Sequence, residues 1–228
     1  FRFTPTNFVL RVTNNLTIGP NGVLGVCDVR CGGDLQLLGG GKLNVYALPT
    51  NSTTRPGNGA LVAVTNSMTV GASSWVYAWS DSYSGGSPLF RMRELTVNTG
   101  GGFDATARGY WGNRGPGTGG SGERLRGAGY GGRGGPGEFG GTAGLTYGFT
   151  NAPLHPGSGG AITAAGEGGY GGGFIRIEVA SNATINGSLI SDGGAQLGLS
   201  TQPSGGSGGG IFVRCLRIFG DVNGVLQV

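Results

Sequence analysis

Apolar and polar residues alternate with period two in short runs along the chain. The fullest example, residues 174–194 (FIRIEVASNATINGSLISDGG), holds three such runs bounded by Gly, Asn and Ser. Three strands within about twenty residues leave no room for hairpins but suit one coil of a helix made of strands. The pattern recurs in residues 8–26, 60–80, 88–107, 174–194 and 211–228, and its second and third runs recur in residues 33–47.

Superposition of these segments aligns two apolar columns with a Thr-rich column between them. The first apolar column contains Leu16, Leu35, Met68, Leu95, Ala183 and Leu216. The second contains Ile18, Leu37, Val70, Val97, Ile185 and Ile218. The column between them contains Thr17, Gln36, Thr69, Thr96, Thr184 and Arg217. Because residues i and i+2 share a strand face, we expect the apolar columns inside and the Thr-rich column outside.

This repeat predicts an all-β protein, a parallel β-helix with almost no α-helix, as a single domain over residues 1–228. A β-sandwich with short strands is the alternative, but it does not explain the column register. An outward Thr ladder also suits binding to ice or crystalline polysaccharide. One Thr per coil, interrupted by Gln36 and Arg217, favours the simpler explanation that Thr has a high β-propensity.

Two Gly-rich segments, residues 109–173 and 195–209, interrupt the repeat. Glycine supplies 54 of the 228 residues, and such a composition usually indicates a flexible linker. Aromatic residues recur through the longer segment, however, and the repeat resumes in register after it. We therefore expect an ordered excursion on one flank, formed either as extended sheet or as a polyproline-II bundle.

Trp75, Tyr77 and Trp79 share one face of a predicted strand and are candidate ligand-binding residues. One interpretation is a stacking platform for a sugar or a hydrophobic partner. The other is that the Gly-rich segment buries them as an anchor. The sequence favours the second interpretation without excluding the first.

The cysteines, the histidine and the carboxylates suggest little chemistry. Cys27 and Cys31 are a candidate disulfide in an oxidising compartment, and Cys215 is expected to be a buried thiol. Three Cys and one His, without a C-x2-C pair, predict no metal site, and we expect no cofactor.

The carboxylates do not recur at one column in adjacent coils, so no catalytic pair is predicted and the protein is expected not to be an enzyme. Asn51, in a polar loop, is a candidate glycosylation site.

Charge and hydropathy limit the partners. The net charge of +4 comes from scattered Arg residues, which do not form the dense patch expected of a nucleic-acid binder. No apolar run reaches the length of about 18 residues that a membrane span needs.

Several Gly-rich motifs resemble known repeats. They are GSGGAI at 157–162, GEGGYGGGFIRIEV at 166–179, ATINGSLISDGG at 183–194 and GGSGGGIFVRC at 205–215. These motifs resemble the Gly-rich parallel β-helix repeats of large bacterial cell-surface and secreted proteins. The resemblance implies an extracellular location and a structural or adhesive role, and it supplies no catalytic residues.

The strand pattern continues to both ends of the sequence without a helical cap. It begins with Phe1 and Phe3 and ends with Val225 and Val228. Open solenoid ends expose unpaired backbone groups, so we expect these residues to stack copies head to tail into an extracellular filament or surface appendage. The alternatives are a carbohydrate-binding or adhesive module that uses the aromatic triplet on an extracellular polysaccharide and, less favoured, a polysaccharide lyase or hydrolase.

Overall fold

The computed structural model describes residues 8–50, 57–119, 126–136, 142–149, 153–161, 168–195 and 204–228. Within these ranges the chain forms eighteen strands and no helix. The strands belong to three parallel six-stranded sheets, so the chain winds through six coils of three strands each. The protein is therefore a parallel β-solenoid, as the column register predicts.

Each sheet collects one strand from every coil. The first sheet contains β1 (Val9–Val12), β4 (Asp28–Cys31), β7 (Ala60–Val64), β10 (Pro88–Met92), β13 (Phe174–Val179) and β16 (Gly210–Arg214). The second contains β2 (Leu16–Ile18), β5 (Leu35–Leu37), β8 (Ser67–Val70), β11 (Glu94–Val97), β14 (Asn182–Ile185) and β17 (Arg217–Phe219). The third contains β3 (Val23–Val26), β6 (Lys42–Tyr46), β9 (Trp75–Trp79), β12 (Gly102–Asp104), β15 (Ser188–Ile190) and β18 (Val225–Gln227).

Inward columns from the three sheets form the core. The first sheet contributes Leu10, Val29, Val62, Phe90, Ile177 and Val213. The second contributes Leu16, Leu35, Met68, Leu95, Ala183 and Ile218. The third contributes Leu24, Leu43, Val76, Phe103, Leu189 and Leu226. From the second coil to the fifth these side chains are at most 1 % exposed, so hydrophobic burial is continuous through the four middle coils.

Two details of the predicted coils are wrong. The second coil begins at β4, whereas the sequence was interpreted as having no first strand before residue 33; β4 has little apolar character because Asp28 and Arg30 flank Val29. In the last coil Ile218, rather than Leu216, pairs with Ala183. A slip of two residues keeps every side chain on its face, so alternation alone does not detect it.

The predicted disulfide between Cys27 and Cys31 is not formed. Cys27 lies at the bend before β4 and Cys31 at its far end, with a strand about 10 Å long between them. A disulfide needs Cα atoms within roughly 4.4–6.8 Å of each other. The Cys31 thiol instead lies 3.2 Å from the carbonyl oxygen of Asn14. Cys215, predicted to be a buried strand thiol, follows β16 and is half-buried.

The described parts of the Gly-rich segments form an ordered bundle beside the solenoid. Its central segment, residues 168–173, bonds to several neighbours: the Gly169 and Gly172 amides donate to Ser204 and Ser207, and the Gly171 amide donates to Tyr110. The Gly157 and Gly194 amides in turn donate to carbonyl groups of the central segment. A strand in a sheet has only two neighbours, so this arrangement is a bundle of chain segments rather than a sheet.

Candidate functional site

The outer face of the third sheet carries the predicted aromatic triplet. Trp75, Tyr77 and Trp79 alternate along β9 with Val76 and Ala78, which are fully buried, while the three aromatic side chains are half-buried. The prediction that the triplet shares one strand face is confirmed. Outward residues of β6 lie one coil away in direct register: Lys42 beside Trp75, Asn44 beside Tyr77 and Tyr46 beside Trp79.

Contacts between β6 and β9 fix the rings in place. The Tyr46 and Trp79 rings stack with centroids 5.7 Å apart and an interplanar angle of 26°. The indole Nε1 of Trp79 donates a hydrogen bond of 3.3 Å to Oδ1 of Asn44. At the neighbouring position Gly102 pairs with Trp75, and a Cβ at Gly102 would come within 2.8 Å of the indole. Glycine at position 102 therefore leaves room for the Trp75 ring to lie over the strand.

Arg108, directly before the Gly-rich segment of residues 109–173, covers part of this aromatic face. Its guanidinium carbon lies 4.7 Å from the Tyr77 ring centroid and 4.6 Å from that of Trp79, and Nη1 lies 3.1 Å from the Asp104 carboxylate. Burial lowers the pKa of Arg108, and Asp104 opposes that shift. Burial also raises the pKa of Tyr46, which the charge of Arg108 partly offsets. The cation is thus held over two rings by cation–π attraction and one ion pair.

The aromatic face can stack flat apolar surfaces and hydrogen-bond polar ones. Its rings are surrounded by an amide, an ammonium, a carboxylate and a guanidinium, from Asn44, Lys42, Asp104 and Arg108. Aromatic surface with a few polar groups around it can stack a sugar ring and orient it by hydrogen bonds. Arg108 covers two of the rings, while all three aromatic side chains of the triplet stay half-exposed.

Sequence reasoning missed Tyr46, Asn44 and Arg108 as members of this face. A signal for the first two was present: residues 33–47 belong to the same repeat as residues 60–80, and their superposition aligns Lys42, Asn44 and Tyr46 with the triplet. Arg108 had no such signal, because it follows the last strand of its coil and reaches back across a corner.

The predicted assembly residues are only partly described. Phe1 and Phe3 lie outside the described residues, and so does Asn51. Val225 and Val228 are 41 % and 66 % exposed. Val225 pairs with the outward Ser188, so the β18 residue that continues the inward column is Leu226, which is 61 % exposed. Ile218 ends the second-sheet column and is 58 % exposed.

A groove of about 800 Å³ lies between the Gly-rich bundle and this last coil. Its walls include Tyr130, Tyr147 and Phe149 from the bundle and Leu226 and Val228 from the end of the chain. Burial raises the pKa of Tyr130 to about 12 and raises that of Tyr147 as well. The Tyr130 and Tyr147 rings add aromatic surface to this end of the solenoid.

Metal sites and membrane-spanning helices are two further features that the described residues lack. In the part of the chain that the structure describes, no three His, Cys, Asp or Glu side chains are grouped closely enough to hold a metal ion. The described ranges also contain no helix with the length and apolar character required to cross a membrane.

Comparison with protein-family models, curated proteins and solved structures finds no match for the chain. The resemblance of its Gly-rich motifs to β-helix repeats of bacterial surface proteins therefore stays a prediction. Function has to be inferred from the chain's own geometry.

Proposed function

We propose that the protein is a non-enzymatic, extracellular structural protein whose copies stack end to end into a filament or surface appendage. One observation carries the proposal: Ile218 and Leu226, the last-coil members of two core columns, are more than half exposed, and Val213 of the third column is only partly buried. The same columns are at most 1 % exposed in the middle coils. A further coil added in register would bury these side chains as the next rung of each column.

The opposite end supplies a matching surface. Leu10, Leu16 and Leu24 are the first-coil members of the same three columns and are only partly buried. Placing them on Val213, Ile218 and Leu226 of another copy continues every column with a branched aliphatic residue. The backbone groups on the outer edges of β1–β3 and of β16–β18 would form parallel ladder hydrogen bonds in the same step. The two surfaces differ, so the association is heterologous and can repeat without closing.

Complementary blocked variants test this arrangement. Leu24→Glu places a charge at the first-coil end, and Leu226→Glu places one at the last-coil end. We expect the wild-type protein to grow in mass with concentration in light scattering, and each variant alone to remain monomeric. An equimolar mixture of the two should give dimers and nothing longer, because each molecule retains one open end.

Two results would contradict the proposal. A wild-type protein that stays monomeric at high concentration excludes stacking, and dimers of Leu24→Glu alone indicate symmetric pairing of like ends. Thr69→Glu, on the outer face of a middle coil, is the matched control and should assemble like the wild type.

The aromatic face supports a second candidate function, binding of a neutral polysaccharide. The supporting observation is the ordered platform of Tyr46, Trp79 and Tyr77 beside the half-exposed Trp75. Electrophoretic retardation in gels containing a single polysaccharide measures such binding. We expect retardation to fall about tenfold in Trp75→Ala, since aromatic contacts of this kind contribute about 1.5 kcal/mol beyond area burial. Wild-type protein that no neutral polysaccharide retards would exclude this function.

A further inference from the structure

A ladder of arginines runs along the outer face of the first sheet, on a different side of the solenoid from the aromatic face. One outward column contains Arg11, Arg30, Ala63, Arg91, Glu178 and Arg214 in direct register. The neighbouring outward column adds Asp28 and Arg176. The first sheet therefore presents five arginines against two carboxylates.

The charges along this ladder are not evenly compensated. Arg91, Arg176 and Arg214 all pair with Glu178, at 2.8, 2.9 and 3.5 Å. Within the described residues, Arg11 and Arg30 form no ion pair, although they face each other on adjacent rungs. The Asp28 carboxylate is buried and accepts a hydrogen bond from the Leu61 amide. Like charges in register repel each other, so an anion placed between Arg11 and Arg30 would stabilise this end of the sheet.

The shape of the surface agrees with the charge. Ala63, with its small side chain, lies between Arg30 and Arg91 and leaves a shallow groove of about 430 Å³. Arg11 and Thr65 also line this groove. Neighbouring strands of the sheet lie about 4.8 Å apart. Arg11 and Arg30 are therefore separated by about 5 Å along the axis, and Arg30 and Arg91 by about 10 Å. Guanidinium groups bind sulfate and carboxylate groups through paired hydrogen bonds.

We infer that this groove binds an extended acidic polysaccharide, one bearing sulfate or carboxylate groups, along the solenoid axis. None of the residues that line the groove is aromatic, and single-stranded nucleic acid is bound mainly by stacking of its bases on aromatic rings. The groove therefore favours a polysaccharide over a nucleic acid. The inference does not depend on end-to-end stacking, because the groove lies within one molecule.

Titration of the full chain with dextran sulfate, and with unsulfated dextran for comparison, tests the inference. The double variant Arg11→Ala/Arg30→Ala removes the uncompensated cations, and Arg133→Ala/Arg217→Ala removes two exposed arginines elsewhere. We expect the wild type and the control variant to bind dextran sulfate equally. The groove variant should bind at least about tenfold more weakly, because two charge-assisted contacts are lost. Its affinity should also depend less steeply on salt between about 0.05 and 0.2 M.

Further variants separate binding from folding and from the aromatic face. Arg11→Lys/Arg30→Lys keeps the charge but loses the paired hydrogen bonds, so it should bind with intermediate affinity. Trp75→Ala should bind dextran sulfate like the wild type. The inference is overturned if the wild type does not bind dextran sulfate, or if the groove and control variants bind equally. Tighter binding of an oligonucleotide of equal charge, lost in the groove variant, would reassign the groove to nucleic acid.

Discussion

Glu178 is the residue at which the charge of the first sheet is balanced. Its side chain is buried in β13, and guanidinium groups from β10, β13 and β16 surround it. Burial alone would raise the pKa of Glu178, but hydrogen bonds from Arg91 and Arg176 outweigh it and hold the pKa below the ordinary value of 4.5. A depressed carboxylate pKa adds stability above the unfolded pKa, and this stability is lost as the pH falls through the folded pKa.

Replacing Glu178 by Gln should therefore destabilise the protein in a pH-dependent way. We expect a loss of about 2 kcal/mol in the free energy of unfolding at neutral pH, because charge-assisted hydrogen bonds are weakened and three cations lose their counter-ion. The difference from the wild type should shrink as the pH falls below 4.5. Urea unfolding at several pH values measures it. Glu94→Gln, at an exposed position of β11, should change little, and equal losses in both variants would contradict this account.

The inward or outward orientation of a residue was predictable from the sequence where apolar and polar residues alternate along a strand. Contacts between residues that are far apart in the sequence were not. The second-sheet columns were placed correctly for five coils, because Leu, Ile and Val recur there at fixed spacing. Asp28 and Arg30 concealed β4, since its inward positions hold only Val29 and Cys31. The partners of Glu178 were not predicted because Arg91 lies 87 residues away, and only the register through the Gly-rich segment brings them together.

At the scale of elements, the Gly-rich bundle depends on the absence of side chains. A Cβ at Gly171 would lie 1.8 Å from the carbonyl oxygen of Gly157, and one at Gly209 would lie 1.9 Å from that of Gly173. Backbone approaches this close are open only to glycine. The sequence indicated order here through its spaced aromatics but left sheet and bundle open, because glycine has no side-chain pattern from which to choose.

Gly171→Ala should disrupt the backbone hydrogen bonds that hold the Gly-rich bundle together. The new methyl group has no space, and overpacking of this kind costs about 3 kcal/mol. Gly132→Ala is the matched control, since nothing lies within 4 Å of a Cβ there, and it should change stability by less than about 0.5 kcal/mol. Hydrogen exchange should show faster exchange at the Gly157 and Gly172 amides in the first variant while solenoid amides stay protected. Equal protection in both variants would show that the bundle tolerates side chains.

At the scale of the whole molecule, the solenoid is a linear array in which each coil contacts only its neighbours. The same residue type therefore contributes differently according to its coil. Leu189 and Leu226 are adjacent members of one third-sheet column, yet Leu189 is 0 % exposed and Leu226 is 61 % exposed. Leu189 lies in the fifth coil, between two neighbouring coils, whereas Leu226 lies in the last of the six described coils.

These two leucines therefore separate folding from assembly. Leu189→Ala should cost about 3 kcal/mol at any protein concentration, because it leaves a cavity between two coils. Leu226→Ala should cost less than about 1 kcal/mol in dilute solution, where its side chain already faces water. If copies stack, association stabilises the folded wild type as concentration rises, so its melting temperature should climb while that of Leu226→Ala lags behind. Melting temperatures measured over a wide concentration range provide the test, and parallel behaviour of the wild type and Leu226→Ala would contradict stacking of copies through Leu226.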